Sequence, residues 1–302
     1  QDGASVRWEH LHDRVEIHGF DALEEAIAPL VAEKKPRRHY HATALGNEDG
    51  ERDFFLAPEP TASSMYGHGS SPYDVSESTT RTSEVRRVPI RRLDSLLADG
   101  TIPRPDFVKV DREGFEPEIL QGAQALLREG VLAIEIETNF NPSPLVPETH
   151  FGAVNKRLLP HGFLLYDLGF NRIQRASFAS RARQLGIDKL RTVPRPATFN
   201  VLFYRDTPSL TAAETLKRAI LLELYGMADT AYDVLIANAA TFPGGASIEE
   251  AADQLVRGAQ SWETARHNSV RTAVRDSSFA IGAALRHAIS YRLRRARARP
   301  AP

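Results

Sequence analysis

The segment Asp106-Phe107-Val108-Lys109-Val110-Asp111 constrains the fold more than any other stretch of this chain. It is a short apolar strand that ends on an acid and is broken at Gly114. Glu116 to Arg128 follows, with Ile119, Leu120, Ala123, Leu126 and Leu127 at helical spacing, and then a second branched-residue strand, Val131 to Ile136. Strand, amphipathic helix and strand over so short a distance is the elementary unit of an α/β sheet. The same alternation precedes it: Val15 to Phe20 reads as a strand, Asp21 to Glu33 as a helix carrying Leu23, Ile27, Leu30 and Val31 on one face, and His39 to Leu45 as a strand. After the Pro-rich loop of Pro142, Pro144 and Pro147 come a helix around Phe151 to Leu159 and a strand pair, Gly162 to Leu168 and Thr198 to Tyr204.

Elsewhere the pattern changes. Asn47 to Arg86 is polar and reads as a loop over a site, since a loop of that length is either functional or mobile, with a merely disordered insertion as the alternative. Beyond Asp206 only helical patterns remain, so a boundary falls near residue 207. That separates an α/β domain over 1–206 from a C-terminal helical region over 207–302. Leu221, Leu224, Tyr225, Ala231, Val234 and Leu235 make facing stripes of an αα-hairpin turned at Gly226. The last helix runs from Val270 to Arg297. Its Ile281, Leu285, Ile289 and Leu293 recur every fourth residue beside Arg286, Arg292, Arg294, Arg295, Arg297 and Arg299, a basic amphipathic pattern that suits an anionic membrane surface or an acidic partner. The blander expectation is a packed helix with a solvated arginine end.

Asp21, Asp111 and Glu137 each end a strand, where an open α/β sheet places its ligand crevice. Such acids accept hydrogen bonds from ribose or substrate hydroxyls, or simply cap the next helix. Lys109 shares a strand face with Asp111, as an ion-pair partner or a catalytic group. Several classes are excluded or unsupported. The absence of Cys removes disulfides, thiolate metal sites and thiol nucleophiles. There is no G-x-G-x-x-G, Walker or G-x-S-x-G string. His10, His12, His39, His41, His68 and His150 have neither H-x-x-x-H nor H-E-x-x-H spacing, so no metal is expected, although His39 and His41 share a strand face. With 38 basic against 39 acidic residues, overall charge gives no reason to expect nucleic acid as a partner. No leader or membrane span is legible, which makes cytoplasmic the expected location.

The string DFVKVDREGFEPEILQGA, Asp106 to Ala123, resembles the signature of the FkbM-type S-adenosylmethionine-dependent methyltransferases: a strand ending Lys-x-Asp, a Gly, a Glu, and a helix ending Gly-Ala. The resemblance continues in order. Val15 to Asp21 is similar to the family's second strand, Ala44-Leu45-Gly46 and Gly50 to its third-strand segment, and Ser63-Ser64-Met65 to its Ser-Ser-Leu element. Leu93-Asp94 is similar to the Leu-Asp before the signature, Ile134 to Glu137 to its next strand, and Phe199 to Arg205 to its last. Departures are Asp21 for the usual Glu, Ala22 for Pro, Glu113 and Phe115 where Gln and Ala are common, and Asn200 at an acidic position. The chain also begins inside the family's Asp-x-Gly-Ala-x-x-Gly motif, with Gly3 matching its last glycine, so the first strand is expected upstream.

The resemblance implies a Rossmann-like class I methyltransferase sheet, mainly parallel with the last strand antiparallel. It implies S-adenosyl-L-methionine as cofactor, held by Gly3, Asp21, Leu45, Gly46 and Asp111, and methyl transfer to a hydroxyl of a sugar, polyketide or related small molecule or glycan. Asp111, Glu137 and His150 are the implied catalytic set, with Glu137 or His150 as base. Two alternatives stand beside it: a non-catalytic scaffold of the same architecture, favoured by the incomplete first motif, and a nucleotide-sugar enzyme, for which no motif speaks.

Overall fold

A computed structural model describes residues 8, 11, 14–58, 60–67, 82–112, 114–141, 148–173, 176–187, 195–207, 209–242 and 246–265. The chain divides into two compact units, one of residues 16–206 and one of 1–15 with 207–302.

In the first unit, β1 (Ile17–Asp21) and β2 (Arg38–Ala42) run parallel, with His18 opposite His39 and Phe20 opposite His41, joined by α1 (Glu24–Ala32). Glu24 and Glu25 in the first turn of α1 suit its dipole, and Asp21 Oδ1 accepts the Leu23 N–H at 3.0 Å just ahead of it. Of the apolar face expected for this helix only Ile27 is buried, while Leu30 and Val31 are exposed. The strand expected over 39–45 is two. The chain turns at Thr43, whose N–H donates to the His41 carbonyl, and β3 (Ala44–Leu45) leaves β2 to pair in parallel with β5 (Glu84–Arg91).

The loop expected over 47–86 needs correcting, because β4 (Gly50–Leu56) lies within it and pairs antiparallel with β5. One face of this hairpin buries Phe54, Val88 and Ile90. The other carries a charged ladder in which Arg87 faces Asp53 at 3.4 Å and Glu51 at 3.8 Å. Alternation of charge with a few apolar residues reads as polar sequence, yet it is what a half-buried antiparallel pair requires.

β6 (Phe107–Val110), β7 (Ala133–Thr138), β8 (Phe163–Ile173) and β9 (Arg195–Arg205) form a sheet in the order β6-β7-β9-β8, parallel between β6 and β7 and antiparallel on both sides of β9. The mainly parallel sheet expected from the resemblance is therefore corrected. Among the described strands, three pairings are parallel and three antiparallel, spread over three sheets, the β1–β2 pair parallel and the other two mixed. The β4–β5 hairpin and the placement of β9 between β7 and β8 supply the antiparallel half. A continuous core joins Ile90, Phe115, Ile119, Leu127, Ile134, Ile136, Phe163, Phe199 and Phe203.

Short helices lace these strands together. α2 (Leu93–Ala98) has no capping side chain of its own, and Asp49 substitutes, accepting from Arg92 N at 3.0 Å and Ser95 Oγ at 2.6 Å and pairing with Arg91 and Arg92. Those bonds, the Ser95 hydroxyl foremost, hold the Asp49 carboxyl well below the usual carboxylate range. Asp49→Ala should destabilise the unit by about 1–2 kcal/mol, the size of a lost helix cap. Because the folded pKa is depressed, this stabilisation is present above the unfolded value near 4 and is lost as pH falls toward the folded one. The urea midpoints of wild type and variant should differ at pH 7 and converge in acid. Equal midpoints at pH 7 would remove Asp49 from the stability of the fold.

Asp94 does for the next helices what Asp49 does for α2. The expected helix over 116–128 is broken into α3 (Glu116–Gln121) and α4 (Gln124–Arg128), and the Asp94 carboxylate accepts from Ala125 N and Leu126 N at 2.8 and 3.1 Å. The remaining helices of this unit are α5 (Phe151–Leu158) and α6 (Ala176–Gln184).

In the second unit, α7 (Ala212–Leu224) starts with a capping box of Thr211 and Glu214 and is followed by α8 (Ala228–Ala237) and α9 (Ala246–Ala265). The turn between α7 and α8 uses Gly226 at φ +80°, and Leu221, Leu224, Ala231 and Leu235 are buried as the stripes require. The basic helix expected over Val270 to Arg297 lies outside the described residues. Among the described residues no helix is long and apolar enough to cross a membrane.

Candidate active site

The parallel strands β1, β6 and β7 deliver Asp21, Asp111 and Glu137 at their carboxyl ends. Asp111 and Glu137 touch: their carboxyl groups are hydrogen bonded to one another. Two carboxylates are acceptors only, so such a contact requires one shared proton. Lys109, one residue pair back on the same face of β6, bonds Asp111 Oδ2 at 3.1 Å and lies 3.9 Å from Glu135, which is almost fully buried on β7. Burial works to raise the Asp111 pKa, but the Glu137 hydrogen bond and the charges of Lys109 and Arg112 outweigh it and hold the carboxyl below its ordinary value.

The turn after β6 is shaped by a residue whose role sequence reasoning did not specify. Glu116, 3% exposed, turns back from the start of α3 so that Oε1 accepts the N–H groups of Arg112 at 2.8 Å and Gly114 at 3.3 Å. Gly114 adopts φ +95°, a conformation costly for any side chain. The loop so formed throws Arg112 across to β1, where its guanidinium donates to the Phe20 carbonyl and pairs with Asp21 Oδ2 at 3.4 Å. Thus the ends of β1 and β6 are joined through Arg112, and those of β6 and β7 through Asp111 and Glu137.

Beside this join lies a small cleft, about 30 Å³ of enclosed space, lined by Phe20, Ala22, Leu45, Met65, Arg112 and Phe115, with Ser63 and Ser64 at its wall. Its mainly apolar lining suits contact with an organic ligand, for which the cleft would have to open. The Ser-Ser-Met element enters through two bonds: Ser63 Oγ accepts from Ala57 N and Ser64 Oγ from Tyr66 N. Next to the cleft Tyr66 donates to Glu118 and packs edge-on to Phe115, whose ring also lies under Arg52 at 4.9 Å. Burial, reinforced by Glu118, pushes the Tyr66 hydroxyl up, so it stays protonated as a donor.

The other residues singled out from sequence fall as follows. Leu45 lines the cleft, but Gly46 does not. Gly46 is a packing position, where a Cβ would meet the Ile90 and Phe115 side chains at 2.5 and 2.9 Å. His150 caps α5, its Nδ1 accepting the Gly152 N–H at 3.1 Å. Its segment is nevertheless drawn to the same edge, because Phe151 N donates to the Asn139 carbonyl at 2.7 Å and Thr149 packs against Gly114. Asn200 lies opposite Glu137 across the β7–β9 ladder. Gly3 and Glu113 are outside the described residues. Arg112, Glu116 and the Tyr66–Glu118 pair were not read as site residues. Glu116, inside the quoted signature, was the most accessible signal.

The family model described as the Methyltransferase FkbM domain matches residues 6–165, just over half of the 302-residue chain. That span holds Asp21, Asp111, Glu116, Glu137 and every residue named at the cleft. No curated protein and no solved structure gives a match.

Proposed function

Because the chain belongs to the FkbM methyltransferase domain family, we propose that it uses S-adenosyl-L-methionine to methylate a hydroxyl of a sugar, polyketide or related small molecule. One observation carries the reading: an apolar cleft opens beside the strand-end acid Asp21 and the turn that bears Asp111. The residues fit the cofactor. An ionised carboxylate offers about four acceptor directions, and Asp21 commits one oxygen to Leu23 N and the other to a long pair with Arg112, so it retains capacity for ribose hydroxyls. Leu45, Met65 and Phe115 supply faces for a purine, and Gly3 is assigned to the methionine end by resemblance alone.

When bound, the cofactor supplies a methyl group on a sulfonium, a leaving group already activated. The chain must therefore orient an acceptor, exclude water and take a proton from the hydroxyl. Asp111, kept ionised beside Lys109, is suited to hold the acceptor hydroxyl, and Glu137 beside it is the group proposed to take its proton. His150 is less suited, since its Nδ1 is spent on the helix cap. Asp21→Ala should weaken binding of S-adenosylhomocysteine by about 1–3 kcal/mol, roughly 5- to 150-fold, with the fold intact. Unchanged affinity in calorimetry would move the ribose site away from β1.

A further inference from the structure

At the opposite end of β1 from Asp21 lies a second cluster of polar side chains. Glu16, just before the strand, and His18 project from the same face, and the parallel register sets His39 of β2 directly beside His18. Glu16 Oε1 lies 3.2 Å from His18 Nε2 and 3.2 Å from His39 Nε2, and the three donor atoms are all within 4.8 Å of one another. We propose that Glu16, His18 and His39 bind a divalent transition-metal ion, zinc foremost, in a site that ties β1 to β2.

The distances carry this assignment. Metal–ligand bonds of 2.0–2.2 Å in a tetrahedron put neighbouring donors about 3.3–3.5 Å apart. Two of the three edges are already at that length. The third edge, already within 4.8 Å, closes by a small shift of the half-exposed His39 ring, which stacks on His18 at 4.6 Å, whereas His18 is the better buried anchor. His18 is also oriented. Its Nδ1 lies 3.1 Å from His41 Nε2, so a proton on Nδ1 donated to His41 leaves the Nε2 lone pair facing Glu16. A ligating histidine characteristically has such an outer partner, which fixes its tautomer. His41 is in turn stacked on Phe20 at 4.7 Å and cannot readily leave. Two imidazoles and one carboxylate favour zinc, or cobalt, nickel and copper, over magnesium or calcium, and the exposed side leaves room for water as a fourth ligand.

None of the three ligands lines the cleft, so its test is separate from that of methyl transfer. Chelator-treated, tag-free full-length chain is titrated with zinc chloride by calorimetry, and with cobalt chloride by visible absorption. One ion per chain should bind, and zinc should raise the thermal midpoint. Glu16→Gln and His39→Ala, both at exposed positions that the fold tolerates, should each weaken zinc ten- to a hundredfold and abolish the midpoint shift. His161→Ala should bind as wild type does. Affinity unchanged in both Glu16→Gln and His39→Ala, or lost on replacing His10 and His12 with the strand residues intact, would overturn the site.

Discussion

Gly122→Ala should prevent this chain from folding, or cost the 16–206 unit well over 3 kcal/mol, beyond the usual range for an added buried methyl group. A Cβ at Gly122 would stand 1.9 Å from the Gly46 carbonyl oxygen and 2.9 Å from its carbon. Backbone φ is −77°, so the objection is steric, and neither partner can retreat. The Gly122 carbonyl accepts from Asp94 N at 2.9 Å, the Gly46 N–H donates to the Arg91 carbonyl at 3.0 Å, and Gly46 is itself wedged against Ile90 and Phe115. Gly67→Ala is the control, since its Cβ would make only ordinary contacts with Phe55 from 3.6 Å. Circular dichroism and urea denaturation should find Gly67→Ala near wild type and Gly122→Ala unfolded or severely weakened. A cooperative Gly122→Ala transition at the wild-type midpoint would mean that this contact is looser than described.

Glu116→Ala is expected to cost about 3 kcal/mol or more and to weaken S-adenosylhomocysteine at least tenfold. Each N–H bond to a carboxylate contributes roughly 1.5–3 kcal/mol, and Glu116 accepts two from the turn after β6. The turn also aims Arg112 at Asp21, so its loss frees the cleft wall as well as the fold. Glu116→Gln retains an acceptor oxygen and should recover much of both effects. Stability lost without any change in ligand affinity would separate this turn from the cleft.

The central strands were legible because β7 is buried on both faces and the half-buried β6 is short and nearly apolar, and their terminal acids stood out against that background. The β4–β5 hairpin was not, because Arg52, Asp53, Arg86 and Arg87 mask the alternation on which a strand reading depends. A helical apolar face over Leu30 and Val31 was overread, since periodicity records which residues could be buried and not what covers them. At the site, Asp21, Asp111 and Glu137 could be read as strand-end acids from sequence, whereas the Arg112 contact could not, because its partner is ninety-one positions away. Gly46 was legible as special, and the geometry adds that it is a close backbone approach to Gly122. The Glu16, His18 and His39 cluster escaped metal spacing rules because those rules describe ligands on one helix or loop, and here the ligands come from two paired strands.

The proposal that this FkbM-family chain holds S-adenosyl-L-methionine beside Asp21 rests on binding before catalysis. Its most direct test is a calorimetric titration of the full 302-residue chain with S-adenosyl-L-methionine and with S-adenosylhomocysteine. Saturable binding of both at one site per chain, competing with each other and weakened by Asp21→Ala, is the expected result. No saturable binding of either ligand to folded chain would contradict it.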